Sequence, residues 1–168
     1  MPARTTEDAW AVIATVLDPE LPALTIVDLG IVRSVAVADG GVRVAITPTF
    51  TACPAMRVIE RDVAAKLRAA GFSPVTVETV LAPAWTSDWM SDAARAKLKA
   101  YGIAPPGRLS ALTASRSGSP WLERDRAVPC PRCDSADTES ISDFGSTPCK
   151  SLHRCRACAE TFEHFKCH

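Results

Sequence analysis

Six of the chain's seven cysteines and all three of its histidines fall between positions 130 and 168, where Cys130-Pro-Arg-Cys133 and Cys155-Arg-Ala-Cys158 form two Cys-x-x-Cys knuckles joined by the stretch 134–154. Four thiolates delivered as two tight pairs suit a tetrahedral ion. Each pair spans one edge of the tetrahedron, and the intervening segment brings the two edges together. A segment this small cannot bury enough apolar surface to fold alone. A structural zinc ion held by Cys130, Cys133, Cys155 and Cys158 is therefore expected to supply much of its folding free energy, on the order of 10 kcal/mol. Cys149 and Cys167, together with His153, His164 and His168, are alternative ligands that spacing alone does not eliminate. A closed four-thiolate site has no open coordination position, so the expected role of the ion is structural rather than catalytic.

At 168 residues the chain also has room for one domain of roughly 100 residues with its own core. Its first residues, MPARTTEDAWAVIATVL, carry acids where a secretory signal needs a basic region and an unbroken apolar run. No apolar run approaches the ~20 residues of a membrane span. These features predict a cytoplasmic protein without a membrane partner. In that reducing compartment an odd number of cysteines points to metal ligands or reactive thiols rather than to a disulfide framework. Charge is balanced overall, 19 Lys+Arg against 19 Asp+Glu, and the stretch 130–168 carries five basic and six acidic groups. A zinc ribbon that grips a phosphate backbone needs a concentrated basic face, so no nucleic-acid partner is expected.

Upstream of the knuckles the spacing predicts an amphipathic helix over 6–17, with Trp10, Ile13 and Leu17 on one stripe, stopped by Asp18-Pro19-Glu20. Two β-rich runs, 31–37 and 42–47, flank Asp39-Gly40-Gly41 and predict a hairpin. A second helix follows Pro54, with Met56, Ile59, Val63 and Leu67 on one face and Gly71 as its stop. Val75, Val77, Thr79 and Leu81 alternate as a third strand over 75–81, and a further helix runs from about Ser91 to Tyr101. The order α-β-β-α-β defines an α+β domain with a three-stranded sheet covered by helices. We read a domain over 1–104, a Pro-, Gly-, Ser- and Arg-rich linker over 105–128 and a zinc ribbon over 129–168. Trp85, Trp89 and Met90 are expected either to pack over the sheet or to form a partner-binding ledge.

Cys53 stands apart from the other six cysteines. The run Thr47-Pro-Thr49-Phe-Thr51-Ala-Cys53-Pro54 puts it at the predicted N-cap of the second helix, where free N–H groups and the positive dipole end favour a thiolate. Thr49 and Thr51 offer hydroxyls to an anion or bound group. Asp18 and Glu20 would add carboxylates if the fold brings their turn to this loop. The alternative is a small core hydrophobe beside a solvated acidic turn.

Residues 6–103 resemble the SufT-like domain of metal-sulfur cluster assembly factors: Asp18-Pro-Glu20, Ile26-Val-Asp28-Leu-Gly30, Thr49-x-x-x-Cys53-Pro54 and Pro83-Ala-Trp85 occur in that family's order. Ala82-Pro-Ala-Trp85-Thr-Ser-Asp-Trp89-Met90, Tyr101-Gly-Ile-x-Pro-Pro106, Phe144-Gly-Ser-Thr-x-Cys149-Lys150 and Phe165-Lys-Cys167 resemble the PaaD (PaaJ) type from bacterial phenylacetate degradation. The resemblance implies a non-catalytic accessory subunit that assists assembly or repair of metal centres in a phenylacetyl-CoA epoxidase. The implied partners are the oxygenase component and the flavin/[2Fe-2S] reductase component. It also implies that Cys53 is a functional thiol. We expect it to bind iron or a cluster intermediate transiently, with Asp18 or Glu20 as assistant. The alternatives are an electron-transfer or docking subunit of the same complex, or a thiol-dependent enzyme using Cys53. The closing Cys167-His168 is a departure that offers one further ligand pair.

Overall fold

The computed structural model describes residues 4–50, 53–108 and 127–166, so most of the expected linker lies outside the described residues, as do Thr51, Cys167 and His168. The chain divides into two compact units, 1–85 and 86–168.

In the first unit, helix α1 spans Thr6–Ile13. Thr5 and Asp8 form a reciprocal capping box, the Thr5 hydroxyl accepting from the Asp8 N–H and the Asp8 carboxylate accepting from the Thr5 N–H. The helix stops short of the expected Leu17. Thr15 and Val16 donate to the carbonyls of Val12 and Ile13, and Leu17 then bridges Thr25 as extended chain. That bridge overrides the helical periodicity, although Val16 remains in the core at 1% exposure.

Strands β1, Val32–Ala38, and β2, Gly41–Ile46, form the hairpin, closed by Asp39 and Gly40 at φ 51° and 78°. Two successive positive φ values are the turn geometry that matches the strands' own twist. Helix α2, Met56–Ala69, then crosses over to β3, Val75–Thr79, which pairs with β2 in parallel. The sheet order is β1-β2-β3. Pairing aligns Val35 with Val44, Val37 with Val42, and Val75 and Val77 with Val42 and Val44, so these valines share one face. Met56, Ile59, Val63 and Leu67 are the buried stripe of α2, in the positions their spacing predicts. Gly71, at φ 86°, ends this helix in the left-handed conformation that glycine adopts without steric cost. Trp85 packs rather than forming a ledge: it is 4% exposed, and its indole N–H donates to the Leu29 carbonyl oxygen at 2.9 Å.

The second unit begins with a short 3-10 turn, Ser87–Trp89, and helix α3, Asp92–Ala100, capped by the Ser91 hydroxyl, which accepts from the Ala94 N–H. Its sheet contains β4, Ile103–Ala104, β5, Thr138–Ser142, β6, Lys150–Cys155, and β7, Thr161–Phe165, in the order β4-β7-β6-β5. The short β4 pairs in parallel with β7, Ala104 opposite His164. The stretch 86–104, which the sequence groups with the first domain, therefore packs with the cysteine-bearing sheet. Arg95 ties this segment together by donating to the carbonyl oxygens of Ser87 and Pro106.

Candidate metal centre and the Cys53 loop

The first knuckle lies ahead of β5, and the second sits in the turn between β6 and β7, so the β5-β6-β7 meander folds one onto the other. The Sγ atoms of Cys130, Cys133, Cys155 and Cys158 all lie within 4.8 Å of one another. Cys130 and Cys158 are 3.8 Å apart and Cys133 and Cys155 are 3.6 Å apart. A tetrahedron with metal–sulfur bonds of about 2.3 Å has edges of about 3.8 Å, the spacing of these two pairs, so the cluster has the size of a tetrathiolate site. The first cysteine of each knuckle, Cys130 and Cys155, is buried, while the second, Cys133 and Cys158, is exposed. Cys130 and Cys155 pack with Ala104 and Phe162, so the site has an apolar floor and a solvent-facing rim.

Each knuckle turns back through a left-handed residue, Asp134 at φ 60° and Ala159 at φ 61°. Backbone bonds hold these turns: Asp134 N–H donates to the Cys130 carbonyl, Cys130 N–H to Ser135 O and Cys155 N–H to Glu160 O. The turns also aim N–H groups at sulfur. The Cys158 backbone N–H is the main cause of a Cys155 thiol lowered to about 7, with help from the neighbouring thiols. At Cys133 the Ser135 N–H pulls down, but the proton shared with the other thiols and the loss of hydration push the group up to about 12. Four thiols in one small volume thus release their protons unequally, and a cation that binds all four replaces those protons.

Among the described residues this is the only set of three or more His, Cys, Asp and Glu side chains clustered for a metal. Cys149 is outside it, buried with its sulfur 3.1 Å from the Thr147 hydroxyl. His153 and His164 are outside it too, sharing the Ser151 hydroxyl at 2.9 and 3.4 Å. Burial, with the charges of His153 and Lys166, depresses His164 to about 4. His164 also lines a cavity of about 600 Å³ beside Cys130, with Ala104, Pro106, Val128 and Lys166 among its other walls. No sequence periodicity foretells this cavity, because the β4–β7 pairing joins Ile103 and Ala104 to Glu163 and His164, segments remote from each other along the chain.

Cys53 is half-buried in the loop between β2 and α2. The N-cap of α2 is Ala55, with no side-chain cap, so Cys53 stands ahead of the position the sequence predicts for it. Its carbonyl accepts from the Met56 N–H and its own N–H donates to Phe50 O, a separate turn leading into the helix. The base of the loop is anchored by Thr47, whose hydroxyl donates to Val80 O and whose N–H donates to Ile31 O. Thr49 is half-buried. Asp18 is 8% exposed and its Oδ1 accepts from the N–H groups of Glu20 and Leu21, both at 2.8 Å, so it shapes its own turn. Glu20 is half-buried. Cys53, Asp18 and Glu20 do not form a clustered ligand set of the ribbon type.

Fold and centre together define a class: a small α+β domain carrying a loop cysteine, followed by a four-thiolate β-ribbon. Family models agree on both parts. The stretch 6–80 matches the iron-sulfur cluster assembly protein family and the stretch 115–166 matches the PaaD zinc beta ribbon domain. The chain is 44% identical over 160 residues to an Escherichia coli (strain K12) protein named as a subunit of a "Putative 1,2-phenylacetyl-CoA epoxidase", covering 95% of this chain and 92% of that one. It is 38% identical over 97 residues to the "Fe-S protein maturation auxiliary factor" of Porphyromonas gingivalis, 56% of this chain and 91% of that protein. The crystal structure of a DUF59 domain from Bacillus anthracis matches with a TM-score of 0.52 at 29% identity, covering 55% of this chain and 90% of that one. The chain belongs to the PaaD family of phenylacetyl-CoA epoxidase subunits. Among its described residues no helix is long and apolar enough to cross a membrane.

Proposed function

We propose that this protein is a cytoplasmic, non-catalytic maturation subunit of a bacterial phenylacetyl-CoA epoxidase system, acting on the metal centres of its oxygenase or flavin/[2Fe-2S] reductase component. The observation that carries this reading is the union, on one chain, of an iron-sulfur cluster assembly domain with a PaaD ribbon, in a sequence 44% identical along 95% of its length to a protein named as an epoxidase subunit. The stretch 6–80, which carries Cys53, matches the iron-sulfur cluster assembly family, and a relative named as an Fe-S maturation factor aligns over 56% of the chain, which favours an assembly role. In this reading Cys130, Cys133, Cys155 and Cys158 hold zinc. Four protein thiolates leave no coordination position for water or substrate, so the zinc shapes the ribbon and does no chemistry. Cys53 binds iron or an iron-sulfur intermediate transiently as thiolate, its loop lying ahead of the positive end of α2, whose first turn contains no acid. Thr49 and Thr51 precede it in the sequence, and Asp18 and Glu20 serve as carboxylate assistants.

The test is to express the oxygenase and reductase components with wild-type protein, with Cys53→Ser, or with neither. The components are then purified free of it, and iron, sulfide and phenylacetyl-CoA oxidation are measured. Maturation predicts under-filled centres and low activity in the last two cases, both restored by chemical reconstitution. Fully metallated but inactive components, rescued at once by adding the protein back, would show a structural or electron-transfer subunit instead.

A further inference from the structure

The four sulfurs of the ribbon are not equally open to a reagent in water. Cys130 and Cys155 are 0% exposed and pack with Ala104 and Phe162, whereas Cys133 and Cys158 are exposed. Each close sulfur–sulfur contact joins one of each kind: Cys133 lies 3.6 Å from Cys155, and Cys158 lies 3.8 Å from Cys130. Both contacts run from one knuckle to the other. A water-soluble oxidant therefore meets a rim sulfur first, and the sulfur that can respond lies beneath it, out of the oxidant's reach.

This arrangement decides where oxidation stops. An exposed thiolate without a neighbour passes from sulfenic to sulfinic acid, which thiols do not reverse, whereas one with a second thiolate beside it closes a disulfide. Disulfide sulfurs lie about 2.05 Å apart, so closure between Cys133 and Cys155 asks for a movement of about 1.5 Å. Cys149 offers no comparable route, being buried with its sulfur beside the Thr147 hydroxyl.

We propose that Cys133 is an oxidation site, and that hydrogen peroxide joins it to Cys155 in a disulfide and so discharges the metal from the ribbon. This rests on the zinc reading above. In the first step the Cys133 thiolate gives an electron pair to one peroxide oxygen. The S–O bond forms, the O–O bond breaks and hydroxide leaves, which makes sulfenic acid. In the second step the Cys155 thiolate attacks that sulfur. The S–S bond forms, the S–O bond breaks and a second hydroxide leaves. The two thiolates lose two electrons, the peroxide gains them, and two protons from solvent convert the hydroxides to water. Cys130 and Cys158 alone do not complete a tetrathiolate site, so the ion passes to solvent, and the ribbon, whose folding is coupled to it, loses its order. A dithiol returns the two electrons, after which the metal rebinds.

The experiment treats full-length, zinc-loaded protein with hydrogen peroxide beside a chromogenic chelator, in the wild type and in Cys53→Ser, which removes the thiol of the first domain. Free thiols are alkylated at intervals and the peptides mapped by mass spectrometry. Both proteins should lose their zinc in step with a single disulfide, Cys133–Cys155, and catalase should abolish both changes. Dimedone, which caps sulfenic acid, should label Cys133 and suppress the disulfide, and dithiothreitol with fresh zinc should restore the starting metal content. A first disulfide that leaves Cys133 or Cys155 as a free thiol overturns the proposal. Zinc retained in excess peroxide, or sulfinic acid at Cys133 in place of the disulfide, overturns it as well, and each of these leaves the zinc reading intact. Reconstituted protein that binds no zinc overturns both.

Discussion

Cys130 and Cys133 belong to one knuckle, yet one is fully buried and the other faces solvent. That difference predicts unequal consequences for the same chemical change. Replacing either with serine removes one thiolate from a site whose total binding free energy is on the order of 10–16 kcal/mol, so an even share per ligand corresponds to a loss of about hundred- to thousand-fold in affinity. At Cys133 a water molecule can occupy the vacated position, and the serine hydroxyl stays hydrated. At Cys130 the hydroxyl enters the apolar floor made by Ala104, Cys155 and Phe162. An unsatisfied buried hydroxyl costs a further amount of about 1–3 kcal/mol. Folding and metal binding are coupled, so this cost appears in the apparent affinity. The Cys130→Ser protein should therefore bind zinc about five- to hundredfold more weakly than Cys133→Ser. Competition against a chromogenic chelator at neutral pH measures the ratio directly. Equal affinities, or a weaker Cys133→Ser protein, would refute the view that the floor of the site is dry. Full occupancy in Cys130→Ser would show that another side chain takes the place of the missing sulfur.

Two further outcomes follow from the same unit. Ala159 occupies the left-handed region at φ 61° with a Cβ that disfavours it, so Ala159→Gly should raise the denaturation free energy of the metal-loaded protein by about 0.5–1 kcal/mol. A loss of stability on that substitution would mean that the turn is not strained. His164 is depressed to about 4, so its ring resonances should titrate near that pH and not near the ordinary 6.5. Between those two values the unfolded chain takes up a proton that the folded one refuses. This contribution to stability is complete above pH 6.5 and is lost as the pH falls toward 4. A His164 midpoint near the ordinary value would place the imidazole in water.

Much of this architecture is legible in local spacing. The two knuckles, the Met56/Ile59/Val63/Leu67 stripe, the Asp39-Gly40 turn and the glycine stop at 71 depend on near neighbours in the chain, and the structure forms each of them in place. The zinc-ribbon reading rests on the same kind of signal, because a Cys-x-x-Cys pair already spans one edge of the coordination tetrahedron. Where local and distant preferences compete, the distant ones decide. Helix α1 stops at Ile13, where Leu17 pairs with Thr25 eight residues further on. Ile103 and Ala104 join the ribbon because the edge of β7 offers them hydrogen bonds.

Chain spacing nominates the sulfurs of the two knuckles without excluding Cys149; only the packed sheet leaves Cys149 outside the cluster and puts Cys130 and Cys155 on its apolar floor and Cys133 and Cys158 on its rim. The same holds for Lys150 and Glu163. As sequence they are two ordinary charged residues, and they become a buried pair only when β6 and β7 align. Periodicity records contacts along one element, whereas burial and ion pairing depend on what a different element brings to the other side.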